Sequence, residues 1–176
     1  MAVGYKAIQW TASKRAYDLV LVALLAAGVG GFIAVAAAMH PRMTIETLLI
    51  RATAFGAFAL LTLILCLGPL ARFDRRFLPL VYNRRHLGVA MFLLALVHAV
   101  LAIVQFHALG DTNPLVSVFT AYAQDYDPFV TQSGNISHFP FEPLGLAALI
   151  ILFLMAATSH DFWLANLGAG WWKQLH

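Results

Sequence analysis

Residues 87–109 contain no Asp, Glu, Lys or Arg, and His98 stands at their centre. An apolar run of that length can cross a bilayer as a helix. It is entered through Arg84-Arg85-His86-Leu87-Gly88. An ionisable side chain is costly in hydrocarbon unless it has a partner, and such residues mark function by default. Two kinds of partner suit an imidazole at that depth. One is a backbone carbonyl or a Ser/Thr hydroxyl on a neighbouring helix. The other is a haem iron, for which neutral imidazole is a standard axial ligand.

Three more apolar runs accompany this one, at 19–39, 52–71 and 143–159. Together they predict an all-α, polytopic bundle of four full transmembrane spans. The last run is at the short limit for a span. Composition agrees: 61% of the 176 residues are hydrophobic and 11% charged, against about 25% charged in soluble domains. Spans and short loops take up nearly all the length, so residues 1–176 read as a single transmembrane domain. Gly28, Gly30 and Gly31 suit close helix–helix approach. Gly68-Pro69 predicts a kink or stop in the second span. Pro143 suits a helix start, where its missing N–H costs nothing.

Basic residues fix the expected orientation. Lys6, Lys14 and Arg15 precede the first span, Arg72, Arg75, Arg76, Arg84 and Arg85 separate the second from the third, and Lys173 follows the fourth. The opposite side carries only Arg42 and Arg51, with Glu46, Asp111, Asp125, Asp127 and Glu142. The positive-inside rule then puts the N-terminus in the cytoplasm. The net charge of +3 is thus a topology signal and asks for no nucleic-acid partner. The N-terminus lacks the short apolar core and cleavage site of a signal peptide and reads as retained.

Several chemistries are excluded. Cys66 is the sole cysteine, so disulfides, cysteine-based zinc sites and cysteine-ligated iron–sulfur clusters within this chain are ruled out. The sequence offers no Ser/His/Asp arrangement, no carboxylate pair within a span and no phosphate-cradling loop. Nearly charge-free spans without a broken helix pair argue against a transporter or channel. The 110–141 segment is the one long external loop, rich in turn formers and aromatics. Loops of that length are functional or disordered, and its aromatics suit a membrane surface or a cap on the bundle.

The other histidines separate by position. His86, twelve residues before His98, lies about 120° around the helix from it. Arg84 lies within about 40° of the His98 face and about 21 Å away along the axis. It suits a haem propionate or simple positive-inside anchoring. His107 lies about 180° from His98 and near the outer surface, which makes it interfacial. His40, His138 and His160 read as wet-surface residues. After His160, the tryptophans at 163, 171 and 172 suit an interfacial belt. Residues from about 171 open a fifth helix that carries His176, so the chain reads as truncated at its C-terminus.

Arg84-Arg85-His86-Leu87-Gly88 leading to His98, followed by Trp172-Lys173-Gln174-Leu175-His176, resembles the ferric reductase-like transmembrane domain. Gly68-Pro69-Leu70-Ala71-Arg72, Phe77-Leu78-Pro79-Leu80 and Ala157-Thr158-Ser159 are similar to the same family. The similarity is strongest to bacterial members, such as the haem-binding subunit of the periplasmic methionine sulfoxide reductase system and forms fused to a Rieske iron–sulfur domain. The resemblance implies a six-helix bundle in the bacterial inner membrane, with one or two b-type haems between helices three and five. It makes His98 the outer-haem ligand and His176 the inner-side ligand. Arg84 falls near the inner position on helix three, and His86 is two residues off that register. The partner of His98 is expected about 13 residues beyond His176, about 20 Å further along helix five. The implied function is transmembrane electron transfer, as an oxidoreductase component working with other membrane or redox subunits. The alternative is a haem-free accessory subunit of a respiratory or photosynthetic complex.

Overall fold

The computed structural model describes residues 12–109, 113–120 and 140–159. Those residues form helices and no strand: α1 (Ala12–Met39), α2 (Ile45–Phe73), a 3₁₀ turn (Arg75–Phe77), α3 (Leu78–Tyr82), α4 (Arg84–Phe106), α5 (Pro114–Thr120) and α6 (Phe141–Ala157). The segment expected to open a fifth helix, with His176, lies outside the described residues, as do His138, His160 and the three tryptophans after it.

Local chemistry sets the helix ends. Thr44 caps α2 by accepting the Thr47 N–H on its Oγ1 at 3.4 Å, and Glu46 places negative charge in the first turn, at the positive end of the helix dipole. Asp74 closes α2 by donating its N–H to the Leu70 carbonyl, and its Oδ1 accepts from Arg76 N at 2.8 Å to open the 3₁₀ turn. At the start of α6 the first backbone bond is Leu144 N–H to the Pro140 carbonyl, 3.2 Å. Pro143 therefore sits in the turn whose N–H groups have no helical partner, as expected. The Thr158 and Ser159 hydroxyls donate back to the Leu154 and Met155 carbonyls, both at 2.6 Å. That competition ends the helix at Ala157.

The structure corrects the expected boundaries at several points. α2 does not stop at Gly68-Pro69 but runs on to Phe73. Pro69 withdraws its N–H from the ladder and sets its ring against the Leu65 carbonyl, which strains a helix without having to end it, and the Asp74 N–H caps the turn beyond it at the Leu70 carbonyl. α1 and α2 begin seven residues before their apolar runs, because the polar residues there can still take helical backbone. The external segment is not all loop, since Pro114–Thr120 is helical. Three helices, α1, α2 and α4, are long and apolar enough to cross a membrane, while α6 is apolar but only 17 residues. Four full spans are thus reduced to three plus a shorter apolar helix among the described residues. The chain is a multi-pass membrane protein.

α2 and α4 form the most extensive interface, flanked by α1 on α2 and α6 on α4. Its buried centre is Leu60 and Leu67 of α2 against Leu87 and Met91 of α4. α1 has no buried residue, and Leu19, Val22, Leu24 and Val35 point outward. Outward apolar side chains suit lipid as solvent. Gly56 marks the closest approach: a Cβ there would meet Leu94 Cδ1 at 3.3 Å and Val29 Cγ2 at 3.6 Å. The absent side chain lets α1, α2 and α4 converge at that level.

A candidate cofactor site around His98

α4 is one unbroken helix, and His98, eight residues from its C-terminal end, is half-buried and bonds to α2. Its Nδ1 lies 3.0 Å from the Ile50 carbonyl oxygen, and Ile50 is buried. A carbonyl can only accept, so Nδ1 is protonated and donates. The lone pair is then on Nε2. Of the two partners expected for this imidazole, a backbone carbonyl of another helix is present, and it engages one nitrogen only. A ring N–H given to a backbone carbonyl is also the usual second contact of a metal-bound histidine, fixing tautomer and ring orientation. The Thr53 hydroxyl donates to the Leu49 carbonyl at 2.8 Å and lies 3.1 Å from the Ile50 carbonyl oxygen as well.

His98 lines a cavity of about 320 Å³ between α4 and α6. Ala95, Ala99 and Ala102 line its α4 side, and Gly145 and Leu149 its α6 side. A Cβ added at Gly145 would meet nothing within 4 Å. Small side chains on α4 thus leave space beside the histidine in an apolar wall. A flat apolar macrocycle with an iron that takes neutral imidazole is compatible with this donor and these walls. Among the described residues no three His, Cys, Asp or Glu side chains converge to hold a bare metal ion. Haem asks less of a protein, because the porphyrin supplies its own nitrogens and only axial ligands are needed.

The remaining site candidates fall elsewhere. His86 is at the other end of α4, with Nδ1 2.6 Å from Asp18 Oδ1 of α1 and its ring edge-on to Tyr17 at 5.7 Å. The structure does not bring it to the His98 cavity. Arg84 is exposed in the first turn of α4. His107 corrects the expectation of an interfacial residue on the far side of the helix. It is 6% exposed and lines the same cavity as His98. It is the C-cap of α4, with φ −124°, so its Cβ is swung away from the position that 100° per residue assigns. Its Nδ1 is 2.9 Å from Ser117 Oγ, and its Nε2 is 3.7 Å from Glu142 Oε1. The sequence therefore does bring a Ser, a His and a carboxylate together, although the His–Glu contact exceeds hydrogen-bond length.

Sequence reasoning passed over Asp18 and Thr53. Asp18 stands immediately before an apolar run, and an acid at that position with a histidine at the same end of another span is a signal that could have been used. Thr53 is the second residue of the 52–71 run and is 5% exposed. A hydroxyl there is ordinary in a membrane helix, and nothing in the sequence links it to His98.

The family described as ferric reductase like transmembrane component matches residues 53–176. Neither a curated protein nor a solved structure matches the chain. The family match takes in α4, α6, His98 and most of α2, and covers well over half of the sequence. The chain belongs to the ferric reductase-like transmembrane component family.

Proposed function

We propose that this protein carries electrons across a membrane through b-type haem, with His98 as an axial ligand. The observation that supports this most directly is the pairing of His98 Nδ1 with the Ile50 carbonyl, which leaves the lone pair on Nε2 of a residue that lines a mostly apolar cavity. Family membership supports electron transfer as the class of function. When bound, haem supplies the one-electron redox step. The chain's residues do the rest. His98 binds and, through Ile50, is held in one tautomer. Ala95, Ala99, Ala102 and Gly145 provide room. Leu149 adds to the apolar wall that tunes the potential by burial.

His176 remains the proposed inner-side ligand, with His86 and Arg84 as further cofactor-binding candidates and one or two haems in all. We place the single domain in a bacterial inner membrane with its N-terminus in the cytoplasm, exchanging electrons with a Rieske domain or another redox subunit.

The test is a reduced-minus-oxidised spectrum of the purified protein. A b-type absorption band that disappears in His98→Ala, with helix content retained, is the expected result. Colourless protein that is stably assembled would overturn the proposal in favour of a haem-free accessory subunit.

A further inference from the structure

Arg42 and Arg51 lie at the end of the bundle opposite the cluster of Arg72, Arg75, Arg76, Arg84 and Arg85. Positive-inside topology accounts for the cluster and leaves this pair unexplained. Among the described residues neither has an acidic partner, and Arg51 Nη1 instead rests 3.6 Å from Met43 Sδ. Arg51 also belongs to a groove of about 480 Å³ between α1 and α2. Stacked rings of Phe32 and Phe55, 5.2 Å apart, contribute to its wall. Gly28 and Gly31 line it too, and a Cβ at either would meet nothing within 4 Å. Protein packing therefore does not require these glycines to lack side chains.

From this we infer that the α1–α2 groove binds one anionic phospholipid, its phosphate on Arg51 and one acyl chain along Gly31 and Gly28. Dimensions and charge both point to this occupant. From Met39 to Gly28 the groove follows α1 for about 16 Å, close to the depth of one leaflet, half of about 30 Å. Its polar residues, His40 and Arg51, are at the end where α1 gives way to the turn into α2, and the rest is apolar. α1 has no buried residue, so the groove opens sideways to lipid. A cation at one end and a chain-length apolar channel match an anionic head group and its tail. The inference does not depend on haem.

The experiment is native mass spectrometry of the full chain in mild detergent, titrated with phosphatidylglycerol or phosphatidylcholine bearing the same acyl chains. Wild type should take one phosphatidylglycerol about fivefold more tightly than phosphatidylcholine, the effect of one surface cation. Arg51→Gln should lower that preference about fivefold, whereas Arg51→Lys and Arg42→Gln should keep it. Gly31→Leu should fill the groove and weaken both lipids, with helix content by circular dichroism unchanged. The arginine cluster at the other end is untouched in all of these variants, so whatever preference it adds is the same in each and drops out of the comparison between wild type and variant. Equal affinities in wild type would overturn the inference. So would a preference that Arg51→Gln leaves unchanged, or binding that Gly31→Leu leaves intact.

Discussion

Asp18 on α1 and His86 on α4 are joined at 2.6 Å, Oδ1 to Nδ1. α1 lies outside the family-matched residues 53–176, and this contact is a polar tie between it and the helix that carries His98. The side chains are 33% and 27% exposed, so the pair is worth about 1 kcal/mol or less. Asp18→Asn should therefore lower the melting temperature by no more than about 2–4 °C. A double-mutant cycle of Asp18→Asn with His86→Gln reads the contact itself. The two single losses should not add, and strict additivity would show that the pair is not coupled.

Thr53 shares the Ile50 carbonyl with His98, at 3.1 Å and 3.0 Å. The hydroxyl has one proton and the Leu49 carbonyl is nearer, at 2.8 Å, so Thr53→Val removes only the weaker branch of a bifurcated bond from Ile50 and keeps the shape. The carbonyl then accepts more strongly from Nδ1–H, and the imidazole becomes a more basic ligand. With haem bound, the midpoint potential should fall, by at most about 59 mV, the one-electron equivalent of a tenfold change. Spectroelectrochemical titration of both proteins checks it. A potential that rises or stays fixed while the fold is retained would rule out this second contact as a tuning device.

The positions of three spans were legible because charge-free runs are long and their length is set by the bilayer. His98 was legible because an imidazole in such a run is anomalous. Its Ile50 partner was not, since any backbone carbonyl of a neighbouring helix could serve and the one chosen is 48 residues away. His107 was misplaced for a different reason. Helical periodicity assigns faces only while φ stays helical, and His107 caps the helix with non-helical dihedrals. Pro69 failed as a stop signal because its effect is local to one turn, and the helix resumes beyond it to the Asp74 cap. Asp18 was hidden by its place outside the apolar run it adjoins.

His107 links three elements: it caps α4, bonds Ser117 of α5 at 2.9 Å and lies 3.7 Å from Glu142 of α6. Truncating a buried hydrogen-bonding group leaves its partner unsatisfied, at about 1–3 kcal/mol. His107→Ala should lower the denaturation midpoint accordingly, and His107→Gln should recover part of the loss by restoring a hydrogen bond to Ser117. Thermal melts of the three proteins decide it. Equal midpoints would mean that the histidine does not hold α5 and α6 to α4.

Gly56 offers a graded test of how tightly α1, α2 and α4 converge. In Gly56→Ala the new methyl would stand 3.3 Å from Leu94 Cδ1 and 3.6 Å from Val29 Cγ2. The first neighbour is the end of a flexible side chain and can shift by a few tenths of an ångström. The alanine variant should therefore fold with little change in melting temperature. Gly56→Leu cannot be accommodated that way, because its branches would drive into α4 or α1 where their backbones approach. Overpacking of this kind costs about 1–3 kcal/mol, and the variant should melt several degrees lower. The lost stability should return in part when Leu94→Ala is added, since that substitution opens the space the leucine needs. No recovery in the double variant would place the close approach somewhere other than Gly56 against Leu94.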